Sequence, residues 1–532
     1  MPRFEKMPET YQDATLNIAL DTLAKDKQAL VFCNTKRGAE SQAEKIAQKV
    51  KESDAVLTEI AQEILDVVST PTKQCVRLAA CVRKSIAFHH SGLAAKQREI
   101  IETRFRDGTI KIICATPTLA MGMDLPAYRS VIRDLKRYSA GTSWSMNDIP
   151  VLEYEQMAGR AGRPGKEAIG EAICIAQTES ERIRIVDKYL LGDPEDIYSK
   201  LAVEPVLRTY VLSLIASGYV HDTPSLYAFF DQTFYAWQYE DADKLHSILD
   251  KMVLLLTQWD FIVAPVHDDS VFVAASDLDS GTLTATRLGE RVAQLYLDPF
   301  TAHHLLESLE RMIARNLSLS EFPLLHLLCT TLEIRPLLGV RQGELDAIDK
   351  RLLEAEESLL VKPPSIYSHE YEEYLQTVKT AMALQMWVSE CGEDVLLEEY
   401  NMTPGDLQAK RQIADWLLYS LVELAKLKAW HPIIVEFEKM RVRLEYGAKE
   451  EILPLLRLKG IGRVRARKLF HNGIRGIDAV RKSEFSALRS LVGEAVAASI
   501  KEQVGQKVAA EQFVKRNKRK GQINLDDYTP ER

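Results

Sequence analysis

Residues 156–165, which read QMAGRAGRPG, decide how the rest of this chain is interpreted. Arg160 and Arg163 lie three positions apart among small residues, so a helix that starts near Leu152 would present both guanidinium groups on one face. Such groups can neutralise the charge that develops on a transferred phosphoryl group. The stretch therefore predicts a phosphate-facing surface, although an isolated arginine pair would also fit a solvated loop.

Two apolar runs upstream each lead into a polar loop. Residues 28–32 (QALVF) precede CNTKRG at 33–38, and residues 110–114 (IKIIC) precede ATPTLAMGMD at 115–124. Short apolar runs with such boundaries are typical of buried strands in a parallel sheet. Ligands of α/β proteins bind beyond the carboxyl ends of these strands, so both loops are expected to face a ligand.

Strand and helix patterns alternate over the first 195 or so residues. The patterns predict helices at 13–23, 39–51 and 95–107 and strands at 30–32, 86–89 and 111–115. Alternation of this kind is typical of a parallel sheet with helices on both faces.

Four segments resemble, in order, motifs IV, IVa, V and VI of superfamily 2 helicases. They are VFCNTKR at 31–37, FHHSGL at 88–93, ATPTLAMGMDLP at 115–126 and QMAGRAGR at 156–163. The resemblance is closest to the Ski-like group, and within it to the archaeal DNA helicases that act at stalled replication forks. It extends over nearly the whole chain and implies an α/β RecA-like domain followed by mostly α domains.

The resemblance and the changes of pattern divide the chain into five parts. They are a second RecA-like domain at 1–197, a winged helix at 198–297, a helical ratchet domain at 298–446, a helix-hairpin-helix DNA-binding domain at 447–508 and a basic disordered tail at 509–532. The winged helix could bind duplex DNA or pack against the motor, since its surroundings are acidic. A small wing strand, a turn at Gly289 and a following helix are expected at its end.

The resemblance implies roles for the motif residues. Gln156 would order the γ-phosphate of ATP, and Arg160 and Arg163 would neutralise transition-state charge. Gly122 and Asp124 would contact ATP and link the nucleotide state to the DNA. The residues implied to face DNA are Thr35, Lys36, Arg37, His90, Thr116 and Thr118.

The 532 residues contain neither the Gly-x-x-x-x-Gly-Lys-[Ser/Thr] phosphate loop nor the acidic Mg²⁺ motif of a first RecA-like domain. We therefore expect ATP and Mg²⁺ to be shared with a first RecA-like domain outside this sequence, so that the chain is one subunit of a split enzyme or a fragment. The main prediction is a C-terminal portion of an ATP-dependent 3′-to-5′ DNA helicase for forked or single-stranded DNA in replication and repair. A non-catalytic DNA-binding scaffold and an RNA helicase of the same group are the alternatives.

Residues 131–138 and 148–151 are predicted to form the two arms of a β-hairpin with its turn around 141–147. In the resembled family, a hairpin at this point separates the strands of the duplex, which would involve Tyr138 and Trp144. The alternative is a simple surface connection.

A long helix is predicted from Pro404, with Arg411 and Trp416 among its apolar positions. A lone tryptophan in a helix usually belongs to a core. In the resembled family, however, an arginine and a tryptophan of this helix stack on bases of the translocating strand, and such stacking tolerates any sequence. The family's arginine aligns with Ala409, so Arg411 is a displaced counterpart.

The segment at 453–469 reads as a helix, a Gly-x-Gly turn and a second helix, and it resembles a helix-hairpin-helix. Gly460 and Gly462 would let backbone N–H groups approach a phosphate, while Arg463 and Arg465 supply charge. Residues 457–520 contain 17 Lys and Arg against 5 Asp and Glu, a local charge of +12 within a chain of −8. This asymmetry favours DNA contact at the C-terminus over a purely structural turn.

Gln522, Leu525 and Tyr528 repeat at three-residue spacing within the tail, so one 3₁₀ turn would align them. The pattern resembles the sliding-clamp-binding peptide of archaeal replication proteins, with a solvated tail as the alternative. The seven cysteines form no C-x-x-C pair, so no metal site is predicted. No apolar run is long enough to span a membrane, and we expect a cytoplasmic protein.

Overall fold

The computed structural model describes residues 7, 9–51, 54–68, 71–121, 125–139, 145–162, 169–201, 203–264 and 282–506. Several residues of the predicted sites lie outside this part of the chain, as does the side chain of Tyr138. They are Gly122, Asp124, Trp144, Arg163, Gln522, Leu525 and Tyr528.

The amino-terminal unit alternates helices and strands. Its elements are α1 Ala14–Ala24, β1 Ala29–Phe32, α2 Lys36–Ala47, α3 Ala55–Asp66, α4 Lys73–Val82, β2 Ile86–His89, α5 Ala95–Arg106, β3 Ile112–Ala115, β4 Arg129–Ile132, β5 Lys136–Ser139, β6 Ser145–Asp148, α6 Val151–Ala158, β7 Glu171–Cys174 and α7 Glu179–Ile185. Side chains of Asp13, Thr35 and Thr72 cap the helices that follow them. The α/β class is confirmed.

Five of these strands form a parallel sheet in the order β2-β3-β1-β4-β7. Phe32 of β1 and His89 of β2 both pair with Ala115 of β3, so the loops after these three strands start at the same edge. The strands β1, β2 and β3 are buried along their whole length, as their apolar runs predict.

The predicted hairpin is found, but its first arm starts later than predicted, at Lys136, and its second arm ends at Asp148 instead of starting there. Strands β5 and β6 pair antiparallel, with Lys136 opposite Asp148 and Ser139 opposite Ser145. Arg184 and Lys188 donate hydrogen bonds to the Asp148 carboxylate at 2.9 and 3.2 Å. Burial by itself would raise the pKa of Asp148, but these two cations lower it below its ordinary value. The base of the hairpin is thus held by ion pairs to the end of the α/β unit.

The middle of the chain is almost entirely helical, as predicted. Its elements are α8 Glu204–Ala216, α9 Thr223–Phe230, α10 Phe234–Tyr239, α11 Ala242–Gln258, β8 Ile262–Val263, β9 Thr284–Ala285, α12 Arg287–Gln294, α13 Pro299–Ala314, α14 Glu321–Cys329, α15 Leu345–Ala355, α16 Glu370–Val388, α17 Glu393–Tyr400, α18 Pro404–Leu427 and α19 His431–Tyr446. One continuous apolar core runs through these helices, from Leu207 to Leu444. Within the described residues, no helix is both long and apolar enough to cross a membrane.

The short strands β8 and β9 pair antiparallel just before α12. The turn predicted at Gly289 is wrong, because Gly289 lies inside α12, whose first turn is capped by the Thr286 hydroxyl. A Cβ on Gly289 would overlap the carbonyl of Phe261, so glycine here permits close packing of the helix on the β8 segment.

The last unit contains α20 Leu453–Leu456, α21 Arg463–His471, α22 Ile477–Lys482, α23 Phe485–Val492 and α24 Glu494–Gln503. Its apolar core is separate from that of the middle helices and runs from Ala448 to Val504. The predicted order of helix, glycine turn and helix is found between α20 and α21.

Candidate nucleotide and nucleic-acid interface

Three threonines converge at the carboxyl edge of the sheet. Thr35 follows β1, and its hydroxyl accepts a hydrogen bond from the N–H of Gly38 at 2.9 Å. Thr116 and Thr118 follow β3, and their hydroxyl oxygens lie 2.9 Å apart. Thr35 and Thr118 are exposed, so this edge offers hydroxyl groups to a ligand in solution.

Lys36 and Arg37 occupy the first turn of α2 beside this edge. The Lys36 ammonium forms a 2.8 Å ion pair with Asp406 of α18, and Arg37 is exposed. Arg37 therefore remains open to solvent, whereas Lys36 joins two units of the protein. Sequence reasoning missed this pairing because 370 positions separate the two residues.

His90 is fully buried, which corrects the prediction that it faces DNA. Its Nδ1 accepts the N–H of Gly92 at 3.1 Å, and its Nε2 lies 3.1 Å from a carboxylate oxygen of Glu40. Its ring stacks on Phe88 with the centroids 5.6 Å apart. A side chain with both nitrogens engaged and no solvent contact shapes the loop and does not bind DNA directly.

Arg160 does not lie on a helix, which corrects the prediction of two guanidinium groups on one helical face. Helix α6 ends at Ala158, and Ala161 forms a parallel bridge with Ala127. The Arg160 guanidinium donates a 2.5 Å hydrogen bond to the carbonyl of Ala120, in the loop after β3. Arg160 thus joins the two segments predicted to enclose ATP, and Gln156 lies exposed on α6 nearby.

Arg411 is half-buried, and its N–H groups point to protein acceptors. They bond to the carbonyls of Leu444, at 2.8 Å, and Glu445 in α19. The guanidinium lies over the ring of Trp387 at 5.0 Å, and burial lowers the pKa of Arg411. The structure therefore differs from the prediction of a free basic group for DNA.

Trp416 lies where α18 meets α12. Its indole N–H donates a 3.1 Å hydrogen bond to the carbonyl of Leu295, just after α12, and its ring packs on the core of the middle helices. The side chain is only partly buried, so a contact with a base and a contribution to packing are both compatible with its position.

The glycine turn before α21 has the expected geometry. Gly460 has a φ of +85°, and Gly462 precedes the first residue of α21. Arg465 is exposed and donates to the Gly460 carbonyl at 2.9 Å. Arg463 differs from the prediction, because it bonds to the carbonyls of Cys391 and Gly447 and lies 4.7 Å from the ring of Trp387.

Two open grooves meet at Arg411. One, of about 860 Å³, lies between the α/β unit and α18, and the other, of about 700 Å³, leads to the turn before α21. Both are lined by Glu393, Arg411 and Glu445. Burial raises the pKa of Glu393, whose carboxylate has one oxygen without a partner among the described residues. One groove thus borders the sheet unit, the other borders the basic last unit, and the two share a wall at Arg411.

Two segments of the chain match known protein families. Residues 12–165 match the helicase conserved C-terminal domain, and residues 322–447 match domain 4 of archaeal helicases. The first covers most of the α/β unit, and the second covers nearly all of α14 and the whole of α15 to α19.

Similar proteins include ATP-dependent DNA helicases Hel308 from three archaea. That of Methanocella arvoryzae is 36% identical over 93% of this chain and 65% of its own length. Those of Methanococcus vannielii and Pyrococcus horikoshii are 34% and 32% identical, over 95% and 96% of this chain and 69% and 68% of their own lengths. The chain thus spans about two thirds of the length of these relatives. Identity at this level over such a span shows that the chain belongs to the Hel308 family of archaeal DNA helicases.

Proposed function

We propose that this chain supplies the second RecA-like domain and the DNA-gripping domains of an ATP-dependent 3′-to-5′ DNA helicase. Its substrate would be forked or single-stranded DNA in replication and repair. The observation that carries the proposal is the convergence of two hydroxyl loops and Arg160 at one edge of the sheet. Thr116 and Thr118 line that edge, and Arg160 is bonded to the loop that contains them.

In this proposal, ATP and Mg²⁺ bind between this edge and a first RecA-like domain that carries the Walker motifs. Arg160, together with Arg163, would neutralise charge on the transferred phosphoryl group, and Gln156 would orient the γ-phosphate. Support comes from the exposure of Gln156 and from the contact of Arg160 with Ala120, because both position polar groups beside one loop. Gly122 and Asp124 would transmit the nucleotide state from the same loop.

The DNA-facing parts belong to the same proposal. The β5–β6 hairpin, with Tyr138 and Trp144, would separate the duplex, and residues 198–297 would act as a winged helix. Helix α18 would contact the translocating strand along the 860 Å³ groove, and the glycine turn before α21 would bind the DNA backbone in the manner of a helix-hairpin-helix. The exposed Arg465 and the positive φ of Gly460 support the last role.

Reconstitution of ATP hydrolysis tests the proposal. The purified chain should show no DNA-stimulated ATPase, because its sequence has no phosphate loop. Addition of a first RecA-like domain from one of the relatives should restore hydrolysis. Arg163→Ala and Arg160→Ala should each lower the restored rate by roughly 10³-fold or more, with single-strand affinity nearly unchanged.

Arg182→Ala is the matched control, because Arg182 lies in the same unit, is exposed and pairs with Glu179 three residues earlier. It should leave the restored rate unchanged. Strong ATPase from the chain alone would contradict the proposed division of the motor. DNA binding without any restored ATPase would favour a DNA-binding scaffold instead.

A sliding clamp is proposed as a further partner of the tail, on the spacing of Gln522, Leu525 and Tyr528. A tethered helicase would have a raised local concentration at forks. Calorimetric titration of a peptide covering residues 515–532 into the clamp should show binding that a Leu525→Ala, Tyr528→Ala peptide loses. Equal binding by both peptides would end this proposal.

A further inference from the structure

The α/β unit and the long helix α18 touch through a small joint. One side of this docking joint is the turn Ser91-Gly92-Leu93 after β2, and the other is the start of α18 at Thr403, Pro404, Gly405 and Asp406. The N–H of Gly405 donates a 3.0 Å hydrogen bond to the carbonyl of Gly92. A main-chain bond thus links the carboxyl edge of the sheet to the first turn of a 24-residue helix.

The joint has no room for a side chain at its centre. A Cβ on Gly405 would overlap the carbonyl oxygen of Ser91 and lie 2.7 Å from that of Leu93. A Cβ on Gly92 would lie 2.9 Å from the Thr403 hydroxyl and 3.0 Å from Nδ1 of His90. Contact this close means that the two backbones cannot slide without breaking the Gly405 to Gly92 bond.

Charged groups secure the rim of the joint. The Lys36 ammonium pairs with Asp406 at 2.8 Å, and a second link joins the sheet unit to α17, where the backbone N–H of Lys73 donates to Asp394 at 3.1 Å. Asp406 also accepts a hydrogen bond from the Thr403 hydroxyl at 2.5 Å, and it accepts the Thr403 backbone N–H at 3.4 Å as part of the capping box of α18. The carboxylate that caps the helix therefore also binds the sheet unit.

His90 determines the shape of the turn on the sheet side. Its Nδ1 accepts the Gly92 N–H, and its Nε2 is held by Glu40 at 3.1 Å. Glu40 is in turn bonded by Gln74 at 2.6 Å and by Arg77 at 2.7 Å. With its ring fixed by these contacts, His90 turns the Gly92 N–H inward, which leaves the Gly92 carbonyl directed at α18.

We propose that His90 is a positioning residue of the docking joint, and that the joint makes the RecA-like unit and α18 move as one body. The joint itself is independent of the proposed function. Its consequence rests on that function: rotation of the RecA-like unit on ATP turnover would be delivered directly to the helix proposed to hold the DNA strand.

Two matched substitutions separate the role of the turn from general loss of packing. In His90→Asn the short amide oxygen can still accept the N–H two residues on, as Asn does in turns. In His90→Gln the longer amide can reach Glu40, but the Gly92 N–H loses its acceptor. Both variants lose the ring stacked on Phe88, so their losses of packing are comparable.

Amide hydrogen exchange of the purified chain, without any nucleotide, measures how often the hydrogen bonds of the joint open. Peptides covering residues 91–93 and 404–407 should exchange at least tenfold faster in His90→Gln and in Gly405→Ala, and should stay near the parent rate in His90→Asn. Gly343→Ala is the control, because a Cβ there meets nothing within 4 Å. Equal exchange in the Asn and Gln variants would overturn the role of His90, and parent-like protection in Gly405→Ala would overturn the joint.

With a restored motor, His90→Gln should lower the number of base pairs opened per ATP hydrolysed, while its ATPase rate stays within about twofold of that of the parent. His90→Asn should open as many base pairs per ATP as the parent. A failure of the motor to reconstitute would count against the proposed function and leave the exchange result standing. An unchanged ratio in His90→Gln, despite fast exchange at the joint, would contradict movement as one body.

Discussion

Arg129 is a buried cation whose charge is balanced on two sides. Its side chain is 1% exposed, and it donates to Asp21 and to Glu171 at 2.6 Å each. Burial alone would raise the pKa of Glu171, but Tyr128 and Arg129 outweigh it and lower the pKa below its usual value. The cluster therefore ties α1 and β7 to β4 by charge.

Acid should loosen this cluster. A carboxylate with a lowered pKa in the folded state contributes stability that is fully present above its unfolded pKa of about 4 and is lost as the pH falls through the folded value. Glu171→Gln should destabilise the α/β unit by about 2 kcal/mol at pH 7, because a buried guanidinium loses a partner. Its stability should also fall less steeply between pH 5 and pH 3. Urea unfolding at both pH values measures this.

Glu179→Gln is the control for that experiment, because the Glu179 carboxylate is exposed and pairs with Arg182 on the same helix. It should leave the unfolding midpoint of the unit unchanged. A Glu171→Gln protein with the parent's pH slope would show that Arg129 does not depend on this carboxylate.

The ring and the indole N–H of Trp416 make different contacts, which two substitutions can separate. Trp416→Ala removes both and should lower the free energy of unfolding by roughly 2 kcal/mol, since the ring packs on the core. It should also lower the affinity for single-stranded DNA roughly tenfold if the ring stacks on a base. Trp416→Phe keeps a ring and leaves the Leu295 carbonyl without its donor. It should lose stability but keep affinity within about twofold. Equal loss of affinity in both variants would contradict stacking.

At the scale of elements, the cations of α21 differ in whether they have a carboxylate partner. Arg467 pairs with Glu390 and Glu451, whereas Arg465 and Lys468 are exposed. Exposed cations are free to neutralise phosphates, and each neutralised phosphate releases counterions. The exposed pair, not the paired arginine, should therefore set the salt dependence of duplex binding.

Replacement of Arg465 and Lys468 by Ala should lower the slope of log affinity against log salt by about 2, close to 0.9 for each lost phosphate contact. Arg467→Ala should leave the slope unchanged and serves as the matched control. Fluorescence titrations of a duplex at several salt concentrations measure both slopes. A reduced slope in Arg467→Ala alone would place the DNA contact on the opposite side of the helix.

Helices and strands could be predicted where the local sequence pattern determines their type and their ends. The strands β1, β2 and β3 are short apolar runs, and α18 starts at a Thr-Pro pair that the structure uses as cap and first residue. The end of α6 at Ala158 was missed, although Gly159 follows directly, because the two arginines were read as helical. The burial of His90 and the carbonyl partners of Arg411 depend on segments far along the chain, and no local pattern reports them.

At the scale of the whole molecule, the apolar side chains of the described residues form three cores. The core of the last unit is small, and Arg467 reaches from it to Glu390 of the middle helices. Arg463 also bonds across this boundary, to Cys391 and Gly447, but the two apolar cores are separate, so the last unit should unfold on its own. The middle helices, from Leu207 to Leu444, share one core and should unfold together.

Calorimetry should show the last unit as a separate, smaller transition. Arg467→Ala should lower its midpoint by about 5 °C, as expected for a loss of about 1 kcal/mol in a domain of this size, and leave the main transition in place. Arg489→Ala, an exposed position of the same unit, is the control. A single transition for the whole chain would show that the boundary is tighter than its contacts suggest.

Because α18 is long and is attached to the sheet unit at its first turn, a small rotation there would move its far end a long way. A helix of 24 residues is roughly 36 Å long. If the sheet and α18 rotate together about the contact at Gly405, each part of the helix moves in proportion to its distance from Gly405. A 10° rotation would displace the far end of α18 by roughly 6 Å and Trp416 by roughly 3 Å. The displacement of each side chain is then set by its distance from Gly405, so Arg411, which is closer to Gly405, would move less than Trp416.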